Sequence, residues 1–129
     1  MTPGLTLLVW STTLFAGYIG AQSLLYRFDY GVGYAATARD GERPPEKYAG
    51  RAARALRNLL ETYAVFVALA LAAELANRAD GLTFWGGQLY FWARWVYLPL
   101  YVGGVPYVRS GVWCVSALGL VLMFLGVAF

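Results

Sequence analysis

The chain has 129 residues, of which 60% are hydrophobic and 13% charged, with a net charge of +3. That balance excludes an ordinary soluble domain, which needs far more polar surface. The net charge is weak evidence for a nucleic-acid partner, and none is expected, because seven of the ten Lys and Arg residues fall between Arg27 and Arg57 and no basic patch exists outside the membrane boundary.

The first apolar stretch, about 5–26, predicts a membrane helix. Gly17, Gly20 and Ala21 give it small residues for close helix contact. No Lys or Arg precedes Leu5, so the positive region of a cleaved signal is missing. The connection over 28–46 holds Gly31, Gly33, Gly41, Pro44 and Pro45 and is expected to be irregular.

A second helix is predicted over 46–77, directly after Pro45. At 1.5 Å per residue it would cover ~48 Å. That exceeds the ~30 Å hydrocarbon core, so its first turns should project from the membrane. Ala64, Ala68, Ala72 and Ala76 form a smooth packing stripe along it.

The third helix, 82–102, carries Trp85, Trp92 and Trp95 and a polar ladder of Tyr90, Arg94, Tyr97 and Tyr101. A Gly103-Gly104-Val105-Pro106 turn leads into the fourth, 106–128, which opens with Arg109, Ser110 and Trp113. The expectation is a single all-α integral membrane domain, a bundle of four transmembrane helices. No internal repeat is present, which argues against a small transporter built from inverted halves.

Charge placement sets the orientation. The basic first connection belongs in the cytoplasm, together with the Gly103–Pro106 turn, and both termini face the other side. The chain contains no His, which removes histidine metal sites and His-based triads, and no metal site is expected. The lone Cys114 cannot form an internal disulfide and is read as a packing residue.

The most informative residues are charges in unexpected places. Arg54, Arg57, Asn58 and Glu61 share one face of the second helix and run into an almost pure hydrocarbon segment. Ionisable groups in a span are costly and usually functional. Glu61 lies ~15 Å along its helix from Arg51, and Arg94 lies ~13 Å from Gly103 on the next. At similar depth they are predicted to pair. Arg54, Arg57, Asn58, Tyr97, Tyr101 and Arg109 would then surround a cationic, Tyr-lined cleft suited to a small anionic ligand.

Blander roles stand beside these. Arg54 and Arg57 would snorkel to headgroups, the Glu61–Arg94 pair would lock two helices, Tyr101 would join an aromatic belt, and Arg109 would anchor the turn. Glu74 is expected to pair with Arg78 one turn on.

The runs Arg54-Ala55-Leu56-Arg57-Asn58-Leu59-Leu60-Glu61 and Arg94-Trp95-Val96-Tyr97-Leu98-Pro99-Leu100-Tyr101, followed by a glycine turn with Arg109 and Trp113, resemble the MAPEG family. These are membrane-associated proteins in eicosanoid and glutathione metabolism, and the turn before Arg109 looks closer to their bacterial branch. The resemblance implies a homotrimer of four-helix subunits in a membrane, here a bacterial inner membrane. Glutathione would be the co-substrate, held in clefts between subunits near the cytoplasmic side.

By that resemblance Arg54, Asn58, Glu61, Tyr97 and Tyr101 fall where glutathione is held. Glu61 would take its amino group, and the arginines, Arg57 and Arg94 included, its carboxylates. Arg109 matches the arginine assigned to thiol activation, and Arg27 is a weaker supporting candidate. The implied function is a glutathione-dependent membrane transferase or peroxidase acting on a lipophilic electrophile or hydroperoxide delivered by the lipid. The alternative is a non-catalytic trimer with a structural Glu–Arg core that binds lipid or an accessory partner.

Overall fold

A computed structural model describes residues 1–31 and 47–129, and every regular element among them is helical. α1 spans Pro3–Tyr30, α2 Lys47–Leu75, α3 Leu82–Val102 and α4 Pro106–Ala128. α1, α2 and α4 are long and apolar enough to cross a membrane. α3 is long enough at ~31 Å, but Gln88, Arg94 and several Tyr and Trp keep its mean hydropathy below that of the other three. Tyr90, Arg94 and Tyr97 are buried among the other helices, so these polar groups are withdrawn from the outer surface.

Each helix end has a local cause. Thr2 caps α1, its hydroxyl accepting from the Leu5 N–H at 3.2 Å, and Pro3 occupies the first turn, where an N–H is dispensable. The irregular connection expected from residue 28 begins later, because α1 continues through Phe28 to Tyr30. It stops at Gly31, whose φ is 88°. From residue 32 to 46 that connection lies outside the described residues.

α2 closes with Arg78 N–H donating to Ala73 C=O at 2.8 Å and Asn77, at φ 56°, donating to Glu74 C=O at 3.3 Å. This is a Schellman end with Asn in the left-handed position. α3 closes in the same way, Val105 N–H bonding Leu100 C=O and Gly104 N–H bonding Tyr101 C=O, both at 3.0 Å.

Gly104 has φ 75°, and an added Cβ would lie 2.8 Å from the Arg51 guanidinium carbon. Arg51 is itself committed, donating to the Val102 carbonyl at 3.1 Å and capping α3. Gly104→Ala is therefore expected to cost about 1–2 kcal/mol from the left-handed backbone alone. A thermal-unfolding comparison in detergent checks it, and unchanged stability would contradict this view of the turn.

The α2–α3 and α3–α4 connections are short, so those neighbours are antiparallel, and end-to-end bonds show how the other helices align. Thr2 at the start of α1 donates to Glu74 at the end of α2 at 2.6 Å, and Arg78 beyond α2 donates to Val127 at the end of α4 at 3.0 Å. These bonds replace the expected Glu74–Arg78 pair. α2 ends at Leu75, so Arg78 leaves the helical register that would have brought it over Glu74.

α3 and α4 make the most extensive contact, while α1 and α4 do not touch among the described residues. The α3–α4 seam runs through glycine. A Cβ on Gly86 would meet Met123 N at 2.8 Å, and one on Gly119 would meet Tyr90 N at 2.8 Å. The core holds Leu14, Tyr18, Leu59, Phe66, Tyr90 and Met123, with Phe66 stacked on Tyr90 at 4.7 Å between ring centroids. Trp10, Leu24, Trp92, Val121 and Phe124 are exposed, which suits a surface whose solvent is lipid.

Candidate functional site

The charged and aromatic side chains concentrate toward the end of the bundle where α3 turns into α4. Arg94 is the largest fully buried side chain. Its guanidinium sits 4.5 Å from the centroid of the Tyr97 ring and 6.0 Å from that of Tyr18. The Tyr18 hydroxyl donates to the Arg94 backbone carbonyl at 2.5 Å, fixing α1 against α3. One turn further along α3, Tyr97 and Tyr101 lie 5.5 Å apart, tilted by 54°.

The Schellman turn then brings α4 back alongside, and Arg109 places its guanidinium 4.6 Å from the Tyr101 ring centroid. The result is a continuous stack: Tyr18, Arg94, Tyr97, Tyr101, Arg109. Each cation lies over an aromatic face, an attraction of about 0.5–2 kcal/mol depending on exposure. Arg94 and Arg109 thus bracket the two tyrosines from either end.

The predicted Glu61–Arg94 ion pair is absent. Nε, Nη1 and Nη2 of Arg94 have no hydrogen-bond partner, and Glu61 is exposed on the outer face of α2. The Thr62–Tyr90 bond between the two antiparallel helices sets Arg94 about one turn away from the level of Glu61, and the Arg94 side chain turns inward toward Tyr18. Asn58 also has a buried, unpartnered atom, its Oδ1.

Arg54 and Arg57 are exposed and line a groove of about 340 Å³ between α1 and α2, together with Gln22, Ala53 and Leu60. Tyr97, Tyr101 and Arg109 do not line that groove. Within one chain the predicted residues therefore form two groups rather than one cavity. Arg27 is exposed in the last turn of α1, where its backbone carbonyl accepts from the Gly31 N–H at 2.7 Å.

Sequence reasoning missed three contributors. Tyr18 sits in an apolar run, and its partner is a backbone carbonyl, which no side-chain pattern reveals. Gln22 joins Arg54 and Arg57 from another helix. Arg51 holds the turn that aims Arg109, and its position at the mouth of the basic segment was the available signal. Deeper in the bundle, Thr62 bonds Tyr90 at 2.9 Å and Ser11 bonds Tyr63 at 2.7 Å, so these buried hydroxyls are satisfied.

Chemically, the site offers fixed positive charge, aromatic hydroxyls and one free carboxylate beside an apolar surface. That is a donor set for a small ligand bearing carboxylates and an amine. Searches among curated proteins and solved structures find no match. The family model described as "MAPEG family" matches residues 4–129, nearly the whole chain. With its all-helical bundle and three membrane-length apolar helices, the chain belongs to the MAPEG family, a family of membrane proteins.

Proposed function

We propose that this protein is a glutathione-dependent membrane transferase or peroxidase, a specific form of the glutathione- or eicosanoid-related membrane function that its family supports. The observation that carries the proposal is Arg109, held over Tyr101 at 4.6 Å, with Tyr97 beside that ring and the Arg94 cation behind it.

In this reading all four helices span the membrane, with the basic connection and the site at the cytoplasmic side of a bacterial inner membrane. The protein works as a homotrimer. Arg54, Arg57 and Glu61 stand exposed on one face of an apolar helix, where lipid would be a costly neighbour. A second copy covers that face and closes the gap between the two groups of residues. Arg54 and Arg57 then take the glutathione carboxylates, Glu61 its amino group, and Asn58, Tyr97 and Tyr101 its peptide and polar edges. Arg94, fully buried, adds positive charge behind that wall.

The chemistry follows from charge. A free thiol with a pKa of ~8.5 reacts as its thiolate. Lowering that pKa to ~6.5 requires about 2.7 kcal/mol of preference for the anion. A fixed guanidinium in a partly dehydrated cleft is well placed to supply it. The proton leaves to the cytoplasmic water. The sulfur forms its bond to an electrophilic carbon arriving from the lipid, and the leaving group departs with its electron pair. With a hydroperoxide the thiolate takes the terminal oxygen and the alcohol leaves. A second glutathione then gives the disulfide and water.

In the non-catalytic alternative, a trimer that binds lipid or an accessory partner, a Glu61–Arg94 pair would be structural, and no such pair is formed within the chain. Conjugation of glutathione to an aryl halide in detergent separates the two. Turnover above background that falls in Arg109→Ala is expected, and absence of both turnover and a glutathione-induced thermal shift would overturn the proposal.

A further inference from the structure

We infer that Tyr18 and Arg94 are positioning residues that set the orientation of Arg109 through the adjoining, tilted rings of Tyr97 and Tyr101. The inference rests on the glutathione reading for its catalytic consequence, while the stack itself stands on geometry.

Arg94 carries a cation into the centre of the bundle with no hydrogen-bond partner on any guanidinium nitrogen. An unpaired buried charge costs several kcal/mol, and an apolar side chain of similar volume avoids that cost. What the guanidinium has instead is aromatic faces, Tyr97 at 4.5 Å and Tyr18 at 6.0 Å. Tyr18 is fully buried too, and it holds the same residue twice, by its ring and by its hydrogen bond to the Arg94 carbonyl.

Exposure rises along the stack. Arg94 is at 0% and Tyr97 at 3%, whereas Tyr101 and Arg109 are partly open. One end is an anchor and the other is the group that meets ligand. A free arginine side chain has about 2 kcal/mol of rotamer entropy to lose. A flat ring whose own tilt is fixed by the ring below it restricts that freedom before any ligand arrives. Arg94 thus acts on Arg109 through two tyrosines, without touching substrate.

The test uses the purified full-length protein in detergent and phenylglyoxal, which modifies accessible arginines, with modification at each arginine followed by peptide mass spectrometry. Tyr97→Leu and Arg94→Met are expected to speed modification of Arg109 about fivefold, the equivalent of ~1 kcal/mol of lost ring contact. Arg51, held by the Val102 carbonyl, should be unaffected in the same samples. Tyr97→Phe keeps the ring and Arg94→Lys keeps the cation, so both should restore most of the protection.

If Arg51 and Arg109 loosen together, or neither changes, the positioning role is overturned. If Tyr97→Phe behaves like Tyr97→Leu, the ring is not the relay. A parallel titration of bound glutathione by thiolate absorbance keeps the two ideas apart. Wild-type protein that binds no thiolate would remove the glutathione reading, and the arginine-modification result would still decide the stack.

Discussion

Gly119→Ala is expected to destabilise the protein by about 2 kcal/mol or more, the scale of overpacking a well-filled interior. Gly111→Ala in the same helix is expected to do the opposite. Alanine in a helix interior is favoured over glycine by roughly 0.5–1 kcal/mol because glycine loses more backbone freedom on folding. At Gly111 nothing lies within 4 Å of an added Cβ, so that gain is kept. At Gly119 the Cβ would lie 2.8 Å from Tyr90 N and 3.2 Å from Leu89 Cβ, and backbone atoms of a packed helix cannot swing aside.

The two helices must separate, and the effect reaches the site because α4 carries Arg109 and α3 carries Tyr101. Thermal unfolding of both variants in one detergent gives the comparison. Equal shifts of the same sign would mean that the α3–α4 seam is not the close contact described.

Arg109→Ala is expected to remove most of the bound thiolate at neutral pH. With a thiol pKa of ~6.5 about three-quarters is ionised at pH 7, and at an unassisted ~8.5 only about 3% is, a difference of roughly 25-fold. The sign fixes the pH dependence. The arginine favours the anion, so its contribution is largest between the two values and fades as pH rises above ~8.5, where glutathione ionises unaided.

The rate should change less than the thiolate population, because a thiolate of lower pKa is a weaker nucleophile, with a Brønsted slope of about 0.4–0.5. Thiolate absorbance of the bound ligand is therefore the better readout. A midpoint identical in wild type and Arg109→Ala would show that the thiol is activated elsewhere.

Much of the fold was legible because apolar runs and their punctuation are local properties. Gly103-Gly104 and Pro106 mark helix ends by chain geometry alone, and the structure uses them as a Schellman turn and a helix start. Azimuth was not legible. Counting residues along two helices put Glu61 and Arg94 at one depth, but depth does not say which way a side chain turns. That depends on which neighbour fills the space between helices, and here the neighbour is Tyr18 from α1.

The Glu74 error has the same origin at a smaller scale. An i, i+4 spacing pairs two residues only while the helix continues, and Asn77 ends it. Within the candidate site, the Tyr97, Tyr101 and Arg109 neighbourhood was visible as spaced polar residues in apolar helices. The separate groove of Arg54, Arg57 and Gln22 was not, because it depends on how α1 lies against α2.

The most direct test of a glutathione site is binding itself, measured by titration calorimetry on the purified protein in detergent. Saturable binding with a Kd of about 1 mM or tighter, near −4 kcal/mol, is expected. Glu61→Gln should weaken it about tenfold, the scale of one charge-assisted hydrogen bond. No saturable heat with wild-type protein up to about 10 mM glutathione, or equal affinity in Glu61→Gln, would contradict the site described.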